Sequence, residues 1–201
     1  MTDRDSFAAR VLAVGTSAGG VEALTRLAAA LPADFPAPVL VVLHVPSYSA
    51  SNLPAILDRA GPLTADHARD HEPIVAGRIY VAPPDFHLLA EREEVRVVRG
   101  PHEHNHRPAI DPLFRSVAHA FGPAAIALVL TGALDDGSAG VVEVTDYGGT
   151  VVIQDPKDAL YPDMPSHAIA AAPTAIVSPL ADIPALLDRV AREPVSTFAV
   201  A

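Results

Sequence analysis

Val11-Leu-Ala-Val14 runs directly into Gly15-Thr-Ser-Ala-Gly-Gly20, after which Val21, Leu24, Leu27, Ala28 and Leu31 recur at helical spacing. A short apolar run, a glycine-rich turn and an amphipathic stretch read as strand, tight turn and helix. Pro32 and Pro36 break the chain, and Val39-Leu-Val-Val-Leu43 follows, an unbroken apolar run suited to a strand buried on both faces. It stops at His44-Val-Pro46.

The same alternation continues outward from this unit. A helix is expected around Leu53 to Arg59, a strand over Gly77 to Ala82 that stops at Pro83-Pro84, and two short strands, Phe86 to Ala90 and Val95 to Val98, around Glu91-Arg-Glu-Glu94. Asp111 to Ala120 presents a helical face, Ala124 to Leu130 a strand, and Thr131 to Gly140 a loop. Val141 to Tyr147 reads as a helix stopped by Gly148-Gly149, Thr150 to Ile153 as a strand, and Ser166 to Ala171 and Ile183 to Arg192 as helices. Strands alternating with helices imply an α/β fold: a doubly wound, mostly parallel sheet with helices on both faces and a β-hairpin appended in the middle of the chain. Ligands are then expected outside the carboxyl ends of the strands.

The chain has 201 residues and shows no internal repeat or long linker, which fits one domain over residues 10–193 with tails at 1–9 and 194–201. Half of it is hydrophobic and 19% is charged, so ample apolar surface is available to offset the entropy of folding. A formal charge of −10, with Lys157 the only lysine, leaves no basic face for nucleic acid. With no cysteine, any nucleophile must be oxygen or nitrogen, and neither thiolate metal sites nor disulfides can form. The first residues lack the layout of a signal peptide and no apolar run approaches the roughly 18 residues of a membrane span, so no membrane insertion and a cytoplasmic location are expected.

Gly15-Thr-Ser-Ala-Gly19 fits G-x-S-x-G between a strand and a helix, an arrangement that exposes the Ser17 hydroxyl beside the positive end of the helix. The competing reading is a glycine-rich turn that merely closes a βα connection or cradles a phosphate. A dinucleotide site would want an acid at the end of the second strand, where His44 stands, and a P-loop would want Gly-Lys-Ser/Thr where Gly20 meets Val21. His44 should project from the same sheet edge as Ser17, close enough to activate its hydroxyl. Leu130-Thr131 leads to Asp135 and Asp136 on that edge too. A carboxylate there could fix the histidine tautomer, although Asp-Asp-Gly also suits an ordinary turn with Ser138 as the next helix's N-cap. The order Ser, His, Asp differs from that of the α/β-hydrolases, in which the acid precedes the histidine.

Taken together, these residues resemble the catalytic domain of the bacterial chemotaxis protein-glutamate methylesterases, the CheB family. The matching segments are Val14-Gly-Thr-Ser-Ala-Gly-Gly20, Val42-Leu-His-Val-Pro46, Tyr80-Val-Ala-Pro83, His106-Arg-Pro-Ala-Ile-Asp111 with Leu113-Phe114, Leu130-Thr-Gly132 with Asp136-Gly137 and Ala139-Gly140, and Met164-Pro165. They run in family order from about residue 10 to about residue 190. The resemblance implies Ser17 as nucleophile, His44 as general base, Asp136 rather than Asp135 as orienting acid, and the backbone amides of Ala18 and Ala133 as oxyanion donors. It implies hydrolysis of γ-glutamyl methyl esters on chemoreceptors or receptor-like signalling proteins, release of methanol, deamidation of receptor glutamines as a further reaction, and no cofactor or metal.

The sequence departs from the family pattern at Ala18, where threonine is common, and at Ala133-Leu134, where Met-Gly is common. Many family members also carry an N-terminal phosphoacceptor domain. With the first strand near Val11, no receiver domain is expected in this sequence, which is then a stand-alone esterase or a part of a longer chain. His102, His104 and His106 alternate as metal ligands on a strand would, but their polar setting reads as a loop, and Arg107 either lines the cleft or pairs with an acid. Two other readings stay open: a non-catalytic signalling module of the same fold, and an α/β anion-binding protein using Gly15 to Gly20.

Overall fold

The computed structural model describes residues 10–45 and 51–195. The expected tail at 1–9, all but the first two residues of the expected tail at 194–201, and Pro46 of the second strand's exit lie outside the described residues. Seven strands form one sheet in the order β10-β9-β8-β1-β2-β5-β3, and every pairing in it is parallel. The central strands are β1 (Val11–Thr16), β2 (Val39–Leu43) and β8 (Ala125–Val129), buried at every position. They are flanked by β9 (Thr150–Gln154) and β10 (Ile176–Ser178) on one side, and by β5 (Arg78–Val81) and β3 (Thr64–His67) on the other.

Alternation of side chains along each strand divides the core in two. Leu12, Val14, Val39, Val41, Ile126 and Leu128 point to one face, where they meet α1 (Gly20–Ala30), α2 (Leu53–Ala60) and α6 (Ile183–Arg192). Val11, Ala13, Leu40, Val42, Ala127 and Val129 point to the other, covered by α3 (Ile110–Phe121), α4 (Ser138–Asp146) and α5 (Asp163–Ala171). The helix after β1 therefore lies on the opposite face from the helix after β8, while β1 and β8 are neighbours. That reversal opens a crevice at the carboxyl ends of these two strands.

The expected hairpin is present as β6 (His87–Ala90) and β7 (Glu94–Val98), closed by Glu91 donating its amide to Glu94 at 2.8 Å. The two-residue strand β4 (Glu72–Pro73) adds a third antiparallel member. Leu88, Ala90 and Val95 bury this small sheet against the face that α3 covers, and Ala90 donates its amide to Ser116 Oγ of α3.

Three strands escaped the sequence reading for a physical reason. Thr64-Ala-Asp-His67 and Ile176-Val-Ser178 occupy the two edges of the large sheet, and β4 spans only two residues, so none shows the apolar pattern of a buried strand. Two helices begin three residues earlier than expected. In α5, Pro165 falls within the first turn, where a missing N–H costs nothing. In α4, Gly137, with φ of 97°, is the N-cap and Ser138 opens the helix, so Ser138 is not the cap. Its hydroxyl has no hydrogen-bond partner among the described residues.

Candidate active site

The site grows out of the parallel ladder itself. Beyond β1 the pairing runs on, with the Ser17 amide donating to Thr131 O at 3.1 Å and the His44 amide to Thr16 O at 3.2 Å. The Gly15–Gly20 turn thereby sits between the exit of β2 and the loop after β8. Gly15 allows a close approach from above: a Cβ there would stand 2.3 Å from Ile110 Cγ2, so no other residue lets the start of α3 settle over the end of β1. Gly132 does the same for the next loop, since a Cβ would stand 2.7 Å from Met164 Cε and 3.0 Å from the Ser17 Cβ.

Against this frame the three expected side chains meet. Ser17 Oγ lies 3.2 Å from His44 Nδ1, and His44 Nε2 lies 2.7 Å from Asp136 Oδ2. The His44 side chain is 5% exposed and that of Asp136 2%. Because the carboxylate only accepts, it holds the ring proton on Nε2 and leaves the Nδ1 lone pair facing the serine hydroxyl. Asp136 also accepts from the first amides of α3, Ile110 N at 2.7 Å on Oδ2 and Asp111 N at 3.0 Å on Oδ1. A helix N-terminus is a favourable place for a negative charge. Burial alone would push the Asp136 carboxyl up, but the His44 hydrogen bond, these two amides and the His44 charge outweigh it and hold the group below the usual aspartate value.

Asp111, next to it, is driven the other way. Burial pushes its carboxyl up, Asp136 adds to that, and the amide of Gly140 at 2.7 Å only partly compensates. Two neighbouring carboxylates thus differ in their readiness to ionise, and the one facing His44 is the readier. Asp135 takes no part in this arrangement: its side chain is 59% exposed, and its nearest ionic neighbour is His104 at 3.6 Å.

Ala18 follows Ser17 directly and Ala133 follows Gly132, whose backbone lies against Ser17, and among the described residues neither amide donates to a protein acceptor. Both are held by their surroundings. Thr131 Oγ1 donates to Ala18 O at 3.1 Å, Gly132 N donates to Tyr161 O at 3.0 Å, and Met164 N donates to Gly132 O at 2.9 Å. Backbone N–H groups without a protein acceptor are of the kind that can receive a developing oxyanion. The turn is a poorer phosphate cradle, because the amides of Ser17 and Gly20 are already bonded to Thr131 O and Ser17 O.

Thr131 and Gln154 are supports that the sequence reading did not single out. Gln154, buried at the end of β9, gives its Oε1 to the Thr131 amide at 2.9 Å, and the Thr131 hydroxyl accepts from Tyr161 N at 2.9 Å. A polar residue closing an otherwise apolar strand was the available signal. Arg107 resolves to the structural alternative, pairing with Asp85 through Nε and Nη2 and donating Nη1 to Gly100 O at 2.6 Å. The histidine run forms a turn rather than a strand. His104 lies 3.0 Å from Asp111 Oδ2, and with Asp111 and Asp136 it makes a cluster close enough for a metal, but the Asp136 oxygens are already engaged by His44 and α3.

Leu134, in the loop that carries Asp136, is 62% exposed and has φ of 66°. A leucine in the left-handed region costs roughly 1–2 kcal/mol, and an exposed one recovers little by packing. Leu134→Gly removes that strain while loosening the unfolded chain by about 0.5–1 kcal/mol. The variant is expected to match or exceed the wild type by up to ~1 kcal/mol in chemical denaturation, where a buried leucine truncation would cost about 2–5.

A parallel α/β sheet with a hydrogen-bonded serine, histidine and aspartate on its carboxyl edge places the chain among the triad-bearing α/β proteins. The chain belongs to the CheB methylesterase family, whose model matches residues 12–187. It is 32% identical to the catalytic domain of the Thermotoga maritima CheB methylesterase, with a TM-score of 0.86 over 90% of this chain and 98% of that one. It is 41% identical over 162 residues to protein-glutamate methylesterase/protein-glutamine glutaminase 4 of Myxococcus xanthus, covering 80% of this chain and 46% of that protein. A Rhodopseudomonas palustris protein named protein-glutamate methylesterase/protein-glutamine glutaminase 3 is 36% identical over 194 residues, 94% of this chain and 53% of its own length. The chain spans about half the length of these curated relatives.

Proposed function

We propose that residues 10–193 are a serine-hydrolase domain that demethylates γ-glutamyl methyl esters on methyl-accepting chemotaxis receptors or similar signalling proteins in the cytoplasm. The observation that carries this reading is the continuous chain from Ser17 Oγ through the His44 ring to Asp136, in a member of the CheB methylesterase family. Ser17 Oγ attacks the ester carbonyl carbon as its proton passes to His44 Nδ1, and Asp136 stabilises the imidazolium that results. The carbonyl oxygen becomes an oxyanion facing the Ala18 and Ala133 amides. The carbon–methoxy bond then breaks, His44 returns the proton, and methanol leaves an acyl-enzyme. Water, activated by His44 in the same way, releases the glutamate and regenerates Ser17. With a glutamine substrate the leaving group is ammonia and the rest of the cycle is unchanged, and no step calls for a metal or cofactor.

Methanol release from a methylated receptor cytoplasmic fragment tests the reading. The expected result is one methanol per ester cleaved, together with covalent labelling of Ser17 by a fluorophosphonate. A folded protein that neither releases methanol nor takes the label would instead be the non-catalytic module.

A further inference from the structure

We propose that His106 is a positioning residue: its imidazole lies flat on the His44 ring and holds that ring in the plane joining Ser17 to Asp136. The two ring centroids are 3.8 Å apart and the planes differ by 7°. His44 leaves the ladder right after its own amide bond to Thr16, and the hydrogen bonds of its ring run in the ring plane, to Ser17 and Asp136. A parallel plate on one face opposes the tilting that in-plane bonds resist weakly.

The sequence around His106 is built to keep that plate still. Glu103 and His106 exchange both backbone hydrogen bonds, at 3.1 and 2.8 Å, around His104 and Asn105, whose φ angles of 48° and 62° are the paired left-handed values of a tight turn. Asparagine and histidine are among the residues that tolerate this region best. Arg115 of α3 grips both oxygens of Glu103 at 2.8 and 2.7 Å, and Asp111 of α3 takes His104. The helix whose first amides hold Asp136 therefore also carries the turn that presents His106.

The charge state suits the task. The groups facing His106 are His44 after β2, Asp136 in the acid loop, and His104 and His102 on its own segment. Burial first, and then the His44 charge, push His106 below the usual histidine value, with Asp136 pulling the other way. A neutral plate lets His44 become an imidazolium, whereas a cationic one would oppose it.

The inference rests on the hydrolase reading for its kinetic consequences, but the stacking can be tested without turnover. His106→Ala and His106→Phe are compared with wild type by thermal melting, by steady-state ester hydrolysis across pH, and by the NMR signal of the His44 Nε2 proton. Loss of an aromatic pair should lower kcat roughly three- to tenfold in His106→Ala. KM should stay unchanged, since His106 acts through His44, and the Nε2 proton signal should broaden. In His106→Phe, which keeps a neutral plane, kcat, the acid limb of the pH profile and a sharp signal should return. Equal kcat in His106→Ala and wild type, or a phenylalanine variant no better than alanine while both melt normally, would overturn the proposal. Sharpness that follows the aromatic plane in a protein lacking Ser17-dependent turnover would leave the positioning role standing and remove only the hydrolase reading.

Discussion

Purified Ser17→Ala protein is expected to lose about 10⁶-fold in turnover of a methylated receptor fragment, the scale seen when a triad nucleophile is removed. Its melting temperature should stay within a degree or two of wild type. The two expectations follow from different atoms. The Ser17 backbone holds the ladder, through its amide to Thr131 and its carbonyl to Gly20, and alanine keeps both. Among the described residues the Ser17 hydroxyl makes one side-chain hydrogen bond, the 3.2 Å contact to His44, and losing it leaves a group that already donates to Asp136. Methanol release by gas chromatography or a coupled assay reads the first expectation and calorimetry the second. An alanine variant as active as wild type would remove Ser17 from the chemistry.

Asp136→Asn should cost about 10⁴-fold in turnover and, unlike Ser17→Ala, also cost stability. Oδ2 accepts from both His44 and Ile110, and Oδ1 from Asp111, so the carboxylate faces donors on every side. An asparagine must aim its NH₂ at one set. Turned toward His44, it forces the opposite tautomer and leaves Nδ1 protonated against Ser17, unable to take a proton. Turned toward Asp111, it sets donor against donor at the start of α3, at a cost of about 1–3 kcal/mol for the buried group left unpaired.

The pH dependence carries a definite sign. The folded Asp136 carboxyl sits below its ordinary value, so its contribution to stability is full above about pH 4 and is lost as pH falls through the folded value. Wild type should therefore exceed Asp136→Asn in stability near neutral pH, and the gap should narrow as the solution is acidified. A gap that stays constant from pH 7 to pH 3 would show that the charge contributes nothing to folding.

Legibility in the sequence followed from locality. Ser17 and His44 each stand just past an apolar run that can only be a buried strand, so spacing along the chain fixes their place in space. Asp135 and Asp136 share one turn, and apart from the family resemblance, which picks Asp136, their spacing does not separate them. What separates them is α3, whose N-terminal amides reach one and not the other, a contact across 25 and 26 residues. The same holds for Gln154 supporting Thr131, 23 residues away, and for His106 lying on His44. The edge strands β3 and β10 were hidden because an edge needs no continuous hydrophobicity.

Ile110 is where these contacts converge. Its amide grips the acid, while its side chain fills the space that Gly15 leaves open two residues before Ser17. Seating this one residue at once completes a core contact and gives the carboxylate one of its donors, so burial of α3 and orientation of Asp136 are coupled. Exchange of the Ile110 amide with solvent then becomes a clock for the site: each time that proton is exposed, Asp136 has lost one of its donors. Slow exchange there, comparable to that of β1 and β8, would mean that the site opens only when the whole sheet does.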